Sequence, residues 1–130
     1  MKFVLIDSIL EQSPERIVAV KQVSLAEEYL ADHFPSFPIL PGVLMVEAMV
    51  QAARAMLPKD QNLVLGEVKA LKFGQLVRPG DALEVEVTLH KANDDGSFTC
   101  KGTGTVRKRG TGGDDETAVS GRFTMRPIKR

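Results

Sequence analysis

Strict alternation of apolar and polar residues governs the second half of the chain. In ALEVEVTLH, Leu83, Val85, Val87 and Leu89 fall on one side and Glu84, Glu86, Thr88 and His90 on the other, which predicts a half-buried strand with His90 turned to solvent. Asn93-Asp94-Asp95-Gly96 is a tight-turn signal. Beyond it Phe98, Cys100, Gly102, Gly104 and Val106 alternate with Thr99, Lys101, Thr103, Thr105 and Arg107, completing a hairpin. A polar, glycine-rich stretch from Arg109 to Glu116 leads to Val119, Gly121, Phe123 and Met125, whose alternation predicts a third antiparallel strand. Upstream, Val64, Gly66, Val68 and Ala70 share a parity that Leu71 and Phe73 break, so the strand from Leu63 to Leu76 is expected to bulge or bend near Ala70. Arg78-Pro79-Gly80-Asp81 then turns into the next strand. Residues 3–10 and 16–23, separated by Ser13-Pro14, read as strand or short helix. Ser24 to Tyr29 reads as a short helix with Ser24 as cap and Glu27 in the capping-box position.

The stretch HFPSFPILPGVLMVEAMVQ, His33 to Gln51, follows another pattern. Pro35, Pro38 and Pro41 recur every third residue, removing backbone donors and biasing the preceding residues to extended geometry, so no helix runs through them. From Val43 to Leu57 there is neither Gly nor Pro, and a helix of about four turns is expected to open just after Pro41-Gly42. Its apolar residues cover nearly the whole circumference, which predicts burial on most sides. One apolar helix and an antiparallel sheet of at least five strands give an α+β fold in which the sheet curls around the helix.

Composition narrows the class. The 130 residues, 43% hydrophobic and 26% charged, suffice for one domain with its own core, taken as residues 1–130. The 17 basic and 17 acidic residues cancel, so net charge makes no case for nucleic acid. Arg107, Lys108 and Arg109 form a compact basic run and Arg126, Lys129 and Arg130 a basic tail. Such runs are usually solvated loop ends, with docking of an acidic partner the alternative. Cys100 is the sole cysteine, and His33 and His90 are badly spaced for zinc, so neither a disulfide nor a metal is implied. No glycine-rich stretch has the strand–loop–helix setting of a dinucleotide site, so no cofactor is expected. The apolar run before Asp7 is shorter than a secretory core and no segment suits membrane insertion, which makes the cytoplasm the expected compartment.

Candidate chemistry concentrates in His33 and Glu47, the two polar intruders of the apolar stretch. Glu47 lies more than a turn inside the helix, too deep to cap it, and burial in hydrocarbon would raise its pKa and keep a protonated acid near neutral pH. The plainer alternative pairs Glu47 with Arg54 or hydrogen-bonds it to Gln51 one turn on. For His33 the plainer alternative is a solvated loop histidine.

The motif His33-Phe34-Pro35, the proline-rich loop, Pro41-Gly42-Val43-Leu44, and Glu47-Ala48-Met49 with Gln51 resemble the hotdog-fold 3-hydroxyacyl-[acyl-carrier-protein] dehydratases of type II fatty acid synthesis. Ala19-Val20-Lys21-Gln22-Val23-Ser24, Phe73, Val77 and Pro79-Gly80-Asp81 extend the resemblance over most of the chain. Glutamate at position 47 is similar to the broad-specificity branch rather than the dehydratase-isomerase branch. The chain departs from the family in carrying Asp32 and Ser36 where glycines usually flank His-Phe-Pro.

The resemblance implies reversible loss of water from a 3-hydroxyacyl thioester to give the trans-2-enoyl thioester. His33 would take the C2 proton and protonated Glu47 would protonate the leaving hydroxyl. The free amides of Gly42 and Val43 at the helix N-terminus would receive the thioester oxygen. Gly42 would let the carbonyl approach the backbone, with a simple turn glycine as the alternative, and Gln51 would orient Glu47. Leu40, Val43 and Met45 would line an apolar acyl tunnel. If the steps from His33 to Gly42 stay near polyproline extension they span up to about 28 Å, so His33 need not reach the Glu47 of its own chain. In the family the two come from neighbouring subunits. The implied partners are acyl carrier protein and a second copy of the chain, as a homodimer or a trimer of dimers. Two rival readings stay open: a catalytically silent hotdog subunit that binds acyl chains or carrier protein, and a hotdog thioesterase or hydratase acting on coenzyme A thioesters.

Overall fold

A computed structural model describes residues 6–23, 42–59, 62–107 and 116–128. Its elements in chain order are β1 (Ser8–Gln12), β2 (Arg16–Gln22), α1 (Gly42–Met56), β3 (Leu63–Phe73), β4 (Ala82–Ala92), β5 (Phe98–Arg107) and β6 (Glu116–Pro127). The strands form a single antiparallel sheet in the order β1-β2-β4-β5-β6-β3, so β1 and β3 are its edges. The helix lies across β2 to β6 on one face. This is the α+β arrangement expected from the pattern, with six strands among the described residues. The short helix expected at Ser24 to Tyr29 lies outside them.

The alternating positions of β4, β5 and β6 become the inner face of the sheet. Leu83, Val85, Val87, Cys100, Val106, Val119, Phe123 and Met125 are buried there, while His90 is exposed. Against them α1 turns Met45, Ala48, Met49, Ala52, Ala53 and Met56, the three- and four-residue spacing of one helical face. Gly102 makes the closest approach possible: a Cβ there would stand 2.5 Å from the sulfur of Met49. Gln12 pins the other end of the helix, donating from Nε2 to the Ala55 carbonyl at 2.8 Å. The β1–β2 turn therefore lies beside the C-terminus of α1. The end of β2, the start of β4 and the end of β5, which pair at Gln22↔Ala82 and Ala82↔Arg107, lie toward its N-terminus.

The turn at Arg78-Pro79-Gly80-Asp81 closes as expected. Asp81 N–H donates to the Arg78 carbonyl at 2.9 Å, and Gly80 has φ 95°, the left-handed value that the third position of a type II turn demands. Two further backbone bonds tie the turn to the end of β2, Gly80 N–H to Val23 O at 2.9 Å and Val23 N–H to Asp81 O at 3.1 Å. Lys21 sits buried on the inner face opposite Leu83, and its ammonium lies 3.8 Å from the Asp7 carboxylate.

Strand β3 departs from the expected parity. A bulge does fall at Ala70, which has φ 54°, but a second falls between Leu65 and Val68, where Glu67 N–H donates to Thr124 Oγ1. Pairing with Met125, Phe123 and Val119 therefore puts Leu65, Val68 and Phe73 on the inner side. The Val64–Gly66–Val68–Ala70 face expected from alternation is not a face of the sheet.

The helix differs too. The prediction of burial on most sides fails for one stripe: Val43 is 74% exposed, Leu44, Val46, Glu47, Gln51 and Ala55 are half-buried, and Arg54 is exposed. Leu44, Val46 and Ala55 still pack against the core, and Val43, Glu47, Gln51 and Arg54 lie on the side of α1 turned from the sheet.

Candidate active site

The site is built on the N-terminal half of α1. Gly42 and Val43 occupy its first turn, where backbone N–H groups have no partner within the helix and the dipole is positive. No acidic side chain sits in that turn to occupy the amides. Glu47 and Gln51 follow at four-residue steps from Val43, so Val43, Glu47 and Gln51 share the stripe that the sheet leaves uncovered. Met45 instead points into the core at 4% exposure, packed with Ala48 and Met49. Sequence reasoning placed Met45 beside Val43 as tunnel lining; the helical period turns the two to different sides.

Glu47 is half-buried, and its carboxylate has no hydrogen-bond or ion-pair partner among the described residues. The pairing with Arg54 that would have made it a structural residue is absent. Arg54 is committed elsewhere, donating from Nε to the Leu63 carbonyl at 3.3 Å. His33 and Leu40 lie outside the described residues, so α1 brings together Gly42, Val43, Glu47 and Gln51 of the expected set.

The structure gives two residues already singled out in the sequence, Phe73 and Arg107, specific places. Phe73, at the end of β3, lays its ring against Gly42, and its signal in the sequence was the parity break after Ala70. Arg107 reaches the same end of the sheet on β5 and holds Glu84 at 2.8 Å. Of the basic run, Lys108 and Arg109 lie outside the described residues, as do Lys129 and Arg130 of the tail. Among the described residues no helix is long and apolar enough to cross a membrane.

Known proteins share this architecture and much of the sequence. Residues 10–111 match the ApeI-like family model, described as ApeI dehydratase. The 3-hydroxyacyl-[acyl-carrier-protein] dehydratase FabZ of Petrotoga mobilis is 43% identical over 114 residues, covering 82% of this chain and 79% of that one. The FabZ of Latilactobacillus sakei is 47% identical over 96 residues, 69% of each chain. In fold, the chain is similar to a chain of the dehydratase heterocomplex ApeI:P from Xenorhabdus doucetiae, with a TM-score of 0.69 at 17% identity over 96% of this chain and 98% of that one. An uncharacterized protein from Erwinia carotovora subsp. atroseptica gives the same TM-score at 20% identity, over 96% and 94% of the two chains. Sheet order, helix placement and the relatives agree: the chain belongs to the hotdog-fold 3-hydroxyacyl-[acyl-carrier-protein] dehydratase family.

Proposed function

We propose that the chain, acting as one hotdog domain over residues 1–130, removes water from 3-hydroxyacyl thioesters borne on acyl carrier protein and releases trans-2-enoyl thioesters for fatty acid or related lipid synthesis. The observation that carries the reading is Glu47, a half-buried carboxyl without a partner among the described residues, one turn past Gly42 and Val43 in a first helical turn that holds no acidic side chain.

The thioester oxygen accepts from the Gly42 and Val43 amides, which stabilise the enolate charge that develops as His33 removes the C2 proton. Glu47 delivers its proton to the C3 hydroxyl as it leaves, and Gln51, one turn on along the same stripe, faces the same space without bonding the carboxyl. Leu40 and Val43 line the acyl path. No cofactor or metal enters the balance, because the proton lost at C2 and the proton gained by the leaving hydroxyl close it.

A second copy of the chain completes the site. Support comes from apolar surface that one chain leaves open: Val43 on α1, and on edge strand β3 Val68 at 37%, Leu71 at 38% and Phe73 at 53% exposure. An unpaired edge strand bearing such residues suits pairing with its own copy. The dimer brings one chain's His33 to the other's Glu47, and dimers gather into a trimer of dimers in the cytoplasm. Arg107, at the end of β5, begins the basic run Arg107-Lys108-Arg109, whose charge suits an acidic carrier protein.

The test is turnover of 3-hydroxyacyl-carrier-protein substrates by the purified protein beside His33→Ala and Glu47→Gln. Each substitution is expected to lower kcat by about a hundredfold or more. Wild-type turnover no higher than that of the two variants sinks the proposal and favours the non-catalytic subunit.

A further inference from the structure

The volume that the missing side chain leaves at Gly42 is already filled. A Cβ built there would stand 2.9 Å from Phe73 Cε1, 3.0 Å from Cζ and 3.3 Å from Cδ1, closer than carbon atoms pack. The ring of Phe73 thus lies directly on the first residue of α1, whose amide and that of Val43 are the oxyanion donors of the proposed reaction.

Phe73 is held there by the strand it ends. It pairs with Val119 on β6, and the next two residues continue the ladder, with Gly74 N–H donating to Ala118 O at 2.8 Å and Gln75 N–H to Thr117 O at 2.9 Å. Gly74 presses so close to β6 that a Cβ on it would stand 2.4 Å from the Thr117 carbonyl oxygen. The bulge at Ala70 supplies the parity that turns Phe73 inward at this point. A ring that is 53% exposed contributes little to the core, yet it bears on the one place where donor direction decides chemistry.

We infer that Phe73 is a positioning residue for the dehydration site: its ring fixes the first turn of α1, and glycine is needed at position 42 to admit that ring rather than to admit substrate. The role rests on the dehydratase reading above. Oxyanion donors act through distance and direction, so a first turn free to rock by an ångström loses transition-state stabilisation while the substrate still binds.

A double-substitution cycle in the full-length protein tests this, using Phe73→Ala, Gly42→Ala and the two combined. Turnover of 3-hydroxyacyl-carrier-protein and thermal unfolding are both measured. Phe73→Ala is expected to lower kcat about tenfold or more with KM changed less than about twofold. Phe73→Leu, which keeps apolar bulk, is expected to fall between wild type and Phe73→Ala. Gly42→Ala is expected to harm the wild type far more than it harms Phe73→Ala, because the methyl group then enters space the ring has vacated. Additive losses, a change confined to KM, or a kcat loss that simply follows the melting temperature would each overturn the inference. If Phe73→Ala does not fold, Phe73→Leu takes its place in the cycle under the same criteria. An inactive wild type removes the dehydratase reading and this role together, whereas an active wild type with an additive cycle removes only the role.

Discussion

Strands β4 and β3 teach opposite lessons about how a sheet spends its residues. Strand β4 lies between β2 and β5, and its pairing with β2 runs without a break from Ala82 to Thr88. Along it Leu83, Val85 and Val87 alternate and are buried, and its one irregularity, against β5 at Leu89/Lys91, falls beyond this stretch. Strand β3 has one protein neighbour, two bulges, a non-glycine residue at φ 54° and three large apolar side chains left partly in water. Two flanking ladders hold a central strand in register, because a one-residue slip would turn every buried side chain outward. An edge strand has that constraint on one side only, and here its freedom re-aims Val68 and Phe73.

That contrast can be broken most forcefully by placing a charge on each strand in turn. Val85→Asp puts an unpaired carboxylate among α1, β2 and β5, and chemical denaturation is expected to show a loss of about 4 kcal/mol or more. Val68→Asp puts the same group on the open edge. The chain is then expected to fold but to sediment as a monomer, with dehydration lost. Equal destabilisation by the two substitutions would erase the distinction between the strands.

A smaller effect concerns the backbone of the edge. Ala70 holds a left-handed conformation that glycine adopts freely, so Ala70→Gly is expected to stabilise the protein by about 0.5–1 kcal/mol in a denaturant titration. Destabilisation would mean that the methyl group has a packing role outweighing the strain.

The smallest effect reports on the regular region. Cys100, buried between helix and sheet, has its thiol pushed up to about 11 by loss of hydration. The folded state therefore holds this proton more tightly than the unfolded chain. The stability due to the neutral thiol is complete below the ordinary thiol range and declines as pH rises towards 11. Iodoacetamide at pH 8 is expected to label the unfolded chain readily and the native chain only as fast as the core opens.

The legibility of the fold follows the same division. Strands β4, β5 and β6 could be read residue by residue because a sheet covered on one face imposes a period of two, and the Pro79-Gly80 turn because its backbone geometry admits few other residues. The bulge at Ala70 was visible as a change of parity. The bulge beside Gly66 was hidden, because Val64, Gly66, Val68 and Ala70 imitate an unbroken strand. On α1 the sequence marked Glu47 as an intruder, but an all-round apolar helix does not say which side its own sheet covers. The uncovered stripe of Val43, Glu47 and Gln51 is a property of the packed chain. Gly42 was read for its openness to substrate, and only the fold reveals the ring that fills the space.

The paired bonds between Val23 and the turn at Gly80 and Asp81 have a consequence for the segment 24–41, which carries His33. Its two attachment points are Val23, clasped by that turn, and Gly42, against Phe73, and residues 73–80 join the two clasps along a short path. One eight-residue stretch therefore anchors both the end of β2 and the start of α1, so a loss of order there would release the two together rather than either alone.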